Sequence, residues 1–389
     1  VPIPTFAAFS ESEHRERLSR ARRALADAGF DGAVVVAPEH LYYLAGYDSW
    51  VSVNSPQALI FGTGEDAPTL VVRNVDLPLA RETSWVEDIR IYHLHRDDVP
   101  ALIAGIVADK RIGRGNRIAI ETQSYALTHA LGLGLAKALS PILLVDATEL
   151  LGELRVVKSA TEIAYLREAA GYADIGLRAA RRQAKPGIRE IAFTAEIEAA
   201  MRRAGSDYWS IPIEMASGPR TPGGHATPRE RIMQSGDLLH LEFAGVSHRY
   251  HVAAIHTLAL GDPGRRAREI YRLAVDSLTA GIDATRIGAP VSAIEEASLE
   301  PLRKAGLEHA ATMRFGYGIG IAYPPIWLET LQISRGFGRR LAANMVFVLH
   351  ACIELPEEGI GVIQGGTYLL TEDGLKMLAG GGAVELESR

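Results

Sequence analysis

The sequence predicts an α/β domain of roughly 150 residues followed by a larger α+β domain. The chain has 389 residues, too many for one ordinary core. Its first part alternates helical and strand patterns. Its second part groups helices and paired strands, and the change falls near Leu154-Arg-Val-Val-Lys158. The expected bounds are 1–155 and 156–389.

In the first domain, Ser10-Glu-Ser-Glu13 forms a capping box. Leu18, Ala21, Leu25 and Ala28 follow at helical spacing, and Gly29 stops the helix. Ala33-Val-Val-Val36 reads as a buried strand, and 58–61, 69–72 and 118–120 as further strands. Helices are expected over 101–107 and 127–139. In the second domain, Ser159-Ala-Thr-Glu162 is another capping box, and its helix carries Ile163, Leu166 and Ala170. A second helix runs over 187–205. Strands follow near 211–216, 237–243 and 250–260, then helices near 264–281 and 291–306, then strands near 346–350 and 367–371. Two helices followed by a hairpin, twice over, is the order this suggests.

Composition narrows the functional classes. Hydrophobic content of 47% and charged content of 23% are those of a soluble globular protein. Net charge is -6 and no long Lys or Arg run occurs, which argues against nucleic acid or an anionic membrane as partner. A small-molecule substrate remains. A single cysteine, Cys352, leaves no internal disulfide framework and suits a reducing compartment. No apolar run reaches spanning length, and Val1-Pro-Ile-Pro-Thr5 lacks a signal pattern, so a cytoplasmic location is expected.

Several segments hold the residues able to do chemistry. Asp237-Leu-Leu-His-Leu-Glu-Phe-Ala-Gly245 alternates an apolar face (Leu239, Leu241, Phe243) with a polar one (His240, Glu242). Arg249-Tyr-His-Val-Ala-Ala-Ile-His-Thr257 puts His251, Ala253 and Ile255 on one face. His225 stands in a Gly/Pro-rich loop, 216–228, just before the first of these strands. A histidine there titrates near neutrality and can give and take a proton; a plain loop histidine is the bland alternative. Gly316, Gly318 and Gly320 lack the strand–turn–helix context of a phosphate loop and suit close backbone approach in a strand or bulge. Tyr323 and Trp327 wall a pocket or fill the core. Asn344-Met-Val-Phe-Val-Leu-His350 is a buried strand ending on a histidine.

Together these phrases resemble the creatinase/prolidase/methionine-aminopeptidase superfamily, whose catalytic domain has the pita-bread fold. The likeness spans nearly the whole chain and is closest to ectoine hydrolases. It rests on Leu44-Ala-Gly-Tyr-Asp-Ser-Trp50, Glu242-Phe-Ala-Gly, Arg249-Tyr-His and Gly316-Tyr-Gly-Ile-Gly-Ile-Ala-Tyr-Pro-Pro. The resemblance implies a creatinase-type N-terminal domain and a pita-bread catalytic domain. It also places the superfamily's five metal ligands on Glu242, Ala253, Tyr317, His350 and Gly365, four of them of the wrong chemistry. A further family histidine falls near Pro324. Bridged divalent ions need carboxylates, so no metal and no other cofactor is expected.

What the likeness then implies is a metal-independent hydrolase of a non-peptide C–N bond, in a small amidine or lactam-like substrate. His225 is the general base and acid, and Glu242 the partner of a substrate cation. His251, Tyr317, Tyr323, Trp327, Glu329 and His350 are expected around the substrate, with His240 behind Glu242. Asp48, Trp50 and Ser52 are expected to reach the partner's active site in a homodimer. Ile363-Gln-Gly-Gly366 and His256-Thr257 depart from ectoine hydrolases and point to another substrate. Two alternatives stand beside this reading. One is an Xaa-Pro peptidase-like metalloenzyme using a single ion among His225, His240, Glu242, His251 and His350. The other is a ligand-binding homologue without catalysis.

Overall fold

The computed structural model describes residues 7–380 and 385–389, so the N-terminal stretch read for a signal pattern lies outside the described residues. The chain divides into two compact units, one ending at Arg155 and one starting at Val156.

The first unit begins with α1 (Glu11–Asp27), capped by Ser10, whose side chain accepts the Glu13 N–H. It continues through β1 (Gly32–Val35), α2 (Pro38–Ala45), β2 (Ala58–Gly62), β3 (Thr69–Arg73), α3 (Leu77–Thr83), β4 (Asp88–Tyr92), α4 (Val99–Asp109), β5 (Arg117–Ile120), α5 (His129–Leu139), β6 (Leu143–Asp146) and α6 (Thr148–Glu153). The strands form one mixed sheet in the order β4-β3-β2-β1-β5-β6. Valines and isoleucines of its inner strands pack with Ile103, Ile106, Val107 and Leu135 of α4 and α5. Five of these elements, α2, α3, β4, β6 and α6, escape the sequence reading. Helix α2 is buried on nearly every residue and so shows no amphipathic stripe. Strand β4 is a short, partly exposed sheet edge without a continuous apolar run, whereas the other edge, β6, carries Leu143-Leu-Val145, a signal that could have found it.

The second unit opens with α7 (Ala160–Gln183). Its capping box is formed as the sequence predicts: Ser159 Oγ accepts the Glu162 N–H, and Glu162 accepts the Ser159 N–H at 2.8 Å. Then come α8 (Glu190–Ala204), β7 (Glu214–Ser217), β8 (Leu238–Ser247), β9 (Tyr250–Ala259), α9 (Arg265–Ala284), α10 (Val291–Lys304), β10 (Gly316–Tyr323), β11 (Ile326–Ile333), β12 (Val346–Leu355), β13 (Ile360–Thr371) and β14 (Gly374–Gly380). An antiparallel sheet runs β11-β10-β12-β13-β9-β8-β7, with β14 on β13. Two helices followed by paired strands does occur twice. The last strands are longer than the sequence suggests, because Gln364, Gly365 and Gly366 continue the β13 ladder through backbone pairing alone. No helix among the described residues is long and apolar enough to cross a membrane.

Helix α7 fixes one face of β8 at very short range. A Cβ on Gly176 would stand 2.5 Å from Phe243, and one on Gly245 would stand 2.2 Å from the Ala169 carbonyl oxygen. The small residues Ala169 and Ala173 make that approach possible. The apolar face of β8 is thereby committed to the helix, and its other face is left for the site. Gly245→Ala is expected to destabilise the protein by about 1–3 kcal/mol, because the obstruction is backbone and cannot rotate away. Chemical denaturation of the variant checks this.

Candidate active site

Strand register builds the site. Glu214 on β7 lies directly opposite Glu242 on β8, and Glu242 lies opposite Ile255 on β9. Ile255 pairs with Gly365 on β13, which pairs with His350 on β12. Directly opposed residues share a sheet face, so one row across five strands presents His350, Glu242 and Glu214 to the same side. Tyr317 on β10 pairs with Val348, two residues from His350, and joins that face.

The row borders a cavity of about 350 Å³. Glu214, His225, Glu242, Arg314, Tyr317, Trp327 and His350 line it, with Ile211, Met313, Ile326 and Leu328 as apolar wall. Trp327 Nε1–H donates to the Tyr317 hydroxyl at 3.1 Å, and that hydroxyl donates to Glu242 Oε1 at 2.8 Å. The His350 and Tyr317 rings meet edge-on at 5.9 Å. Glu214, only 7% exposed, is not among the expected site residues, and no side-chain hydrogen bond or ion pair engages its carboxyl among the described residues.

Burial dominates the electrostatics. It pushes the Glu242 carboxyl up to about 7, against the opposing pull of the Tyr317 hydrogen bond. Glu214 is pushed up to about 8, by burial first and by the Glu242 charge second. His350 is held down to about 3 by burial and then by the Arg314 charge. Burial likewise lowers His251 to about 3 and His240 to about 4. Near neutrality these three imidazoles are uncharged, and the two carboxyls hold a proton between them.

The other expected residues lie elsewhere. His251 shares the Glu242 face but pairs with Val246, well along the hairpin, and its ring is spent on the Arg249 carbonyl and the Ser210 N–H. His240 is buried and does not line the cavity. Glu329 forms a buried ion pair with Lys158 at 2.5 Å, so its charge is already matched. Tyr323 is fully buried. Asp48, Trp50 and Ser52 belong to the first unit, where Trp50 is 62% exposed and Ser52 is buried.

The positions on which the resemblance places metal ligands do not fit a pair of bridged ions. Ala253 has no donor atom. Tyr317 already donates to Glu242. A Cβ added at Gly365 would stand 2.2 Å from the Leu349 carbonyl oxygen, so no acidic side chain is accommodated there. Among the described residues, no group of three or more His, Cys, Asp and Glu converges to hold a single ion either.

The carboxyl pair gives stability a defined pH dependence. The folded values of Glu214 and Glu242 lie above the ordinary 4.5. Their contribution is therefore full below that value and is lost as pH rises through the folded values. Glu214→Gln removes one ionisation, so the variant is expected to melt higher than the parent at about pH 9 and to lose that advantage at about pH 5. Thermal melts at both pH values check it.

Comparison with known proteins gives the family. The pattern of Metallopeptidase family M24 matches residues 164–374, and that of the Creatinase/Prolidase N-terminal domain matches 17–157. An uncharacterized hydrolase/peptidase, y4tM, of Sinorhizobium fredii is 29% identical over 94% of this chain and 95% of its own length. The ectoine hydrolase of Halomonas elongata is 26% identical over 95% and 96%. The dipeptidase PepE of Mycobacterium ulcerans superposes with a TM-score of 0.82 at 26% identity, covering 98% of this chain and 99% of that one. An Xaa-Pro dipeptidase of Bacillus anthracis, at 21% identity, shares the fold with a TM-score of 0.84 over 97% and 100%. These findings overturn the expectation of a non-peptide C–N hydrolase with Glu242 as partner of an amidine cation. Peptidases and dipeptidases outnumber ectoine hydrolase among the relatives compared. A creatinase-type N-terminal domain and a pita-bread catalytic domain together make this chain a member of Metallopeptidase family M24, a family of hydrolases.

Proposed function

We propose that this chain hydrolyses the amide bond of a small, dipeptide-sized substrate, using the Glu214–Glu242 pair for proton transfer. The observation that carries the reading is that pair: two buried carboxyls directly opposed across two strands and open to one cavity. The peptidase relatives support the substrate class. A cavity of about 350 Å³ suits a ligand of that size. Since the residues do not fit bridged ions, every step is assigned to side chains.

Two like charges so close and so poorly solvated cannot both persist, so the pair holds one proton. Water adds to the carbonyl carbon while the ionised Glu242 takes its proton. Protonated Glu214 gives its own proton to the carbonyl oxygen, and a tetrahedral diol forms. His225, the exposed histidine of the cavity, then protonates the nitrogen as the C–N bond breaks. Glu214 recovers a proton from a hydroxyl of the diol, leaving an acid and an amine. Glu242 passes its proton through cavity water to His225, which restores the starting state. Tyr317 holds Glu242 in place, and the Trp327 bond holds Tyr317.

A panel of Xaa-Pro and other dipeptides, followed by mass spectrometry with chelator and with added divalent metal, tests the reading. Cleavage that survives chelation is expected. Glu242→Gln, Glu214→Gln and His225→Ala are each expected to lower kcat/KM by about 100-fold or more. Cleavage of no peptide, or cleavage that requires added metal and ignores Glu214→Gln, would overturn it. The pH profile is a separate check. Activity needs one proton on the pair, so it is expected to fall below about 7 and above about 8. The homodimer implied by the resemblance belongs to this proposal, and light scattering of the purified protein tests it.

A further inference from the structure

The loop that carries His225 is tied down by a carboxylate the reaction does not use. Glu190, at the start of α8, is fully buried. Its Oε1 accepts the Ser217 N–H at 3.0 Å and the Ser217 hydroxyl at 2.5 Å. Its Oε2 accepts the Arg229 N–H at 2.8 Å and the Arg220 guanidinium. Ser217 and Arg229 are the two stems of the loop, so one side chain closes its base. Arg220 carries the tie inward, because its second nitrogen donates to the Thr227 carbonyl at 2.9 Å. Close to His225, the Ala226 carbonyl accepts the Met215 N–H at 2.7 Å. Met215 adjoins Glu214, so the loop and the carboxyl pair are held in one register.

A charge buried this deeply is tolerated only with its hydrogen bonds made. Here its partners are all parts of the loop or its stems. We infer that Glu190 is a positioning residue, which sets the place of His225 relative to the Glu214–Glu242 pair. The inference rests on the proposed amide hydrolysis for its kinetic part only. In a glutamine, one carboxylate oxygen becomes an NH₂ group. That NH₂ would face donors, so one stem would be released while side-chain volume is kept.

The experiment pairs kinetics with a probe that needs no substrate. Glu190→Gln is expected to lower kcat on a cleaved dipeptide about tenfold or more with little change in KM, since displacement of a reacting group acts on the chemical step. In a His225→Ala background the same substitution is expected to cost less than about twofold, because the two residues act as one unit. The imidazole resonance of His225, assigned by its loss in His225→Ala, is expected to shift in Glu190→Gln even where no substrate has been found. Additive losses in the double variant, or an unmoved His225 resonance, would overturn the inference. If Glu190→Gln does not fold, Arg220→Ala takes its place. It removes the ion pair with Glu190 and the link to Thr227 while leaving both stem hydrogen bonds, and is expected to move the same resonance and the same double-variant cycle; an unmoved resonance there is equally fatal.

Discussion

Cross-strand register is the constraint from which the site follows. Only because β7, β8, β9, β13 and β12 pair as they do does one row run Glu214, Glu242, Ile255, Gly365, His350. A slip of one residue in any pairing would turn side chains to the opposite face. Helix α7 guards against such a slip at β8, since Gly245 admits no other residue at that distance and Phe243 is seated against Gly176. The packing on one face of the strand thus fixes the chemistry on the other.

The second governing effect is desolvation. It raises both carboxyls and lowers His350, His251 and His240, while His225 is the exposed histidine of the cavity. Acid–base work is thereby divided among few groups, although the domain is rich in histidine. The Tyr317–Trp327 chain adds direction. Each donor points toward Glu242, so one carboxylate oxygen is engaged from the protein side.

Much of this was legible in the sequence, though unevenly. The capping box at Ser159, the β8 alternation and the His225 loop announce themselves locally. So do the residues that depart from a family ligand set, once the resemblance is drawn. Glu214 did not. In Ile211-Pro-Ile-Glu-Met-Ala it looks like the outward residue of an ordinary strand, and only the pairing with Glu242 shows that it faces a cavity. Glu329 erred the other way. It stands beside Trp327 in sequence, but its partner Lys158 is 171 positions distant, beyond any local pattern. The substrate class was the largest miss, because the lost ligands speak about cofactor and not about which bond is broken.

The tight seat of Gly365 against the Leu349 carbonyl bears on which substitutions the site can accept. Placing an acidic residue there would require two paired strands to part. A single Gly365→Glu or Gly365→Asp change is therefore opposed by backbone that cannot rotate aside. Side chains on the rim and walls of the chamber are free of that obstruction, so the cavity can be reshaped there and not at its floor.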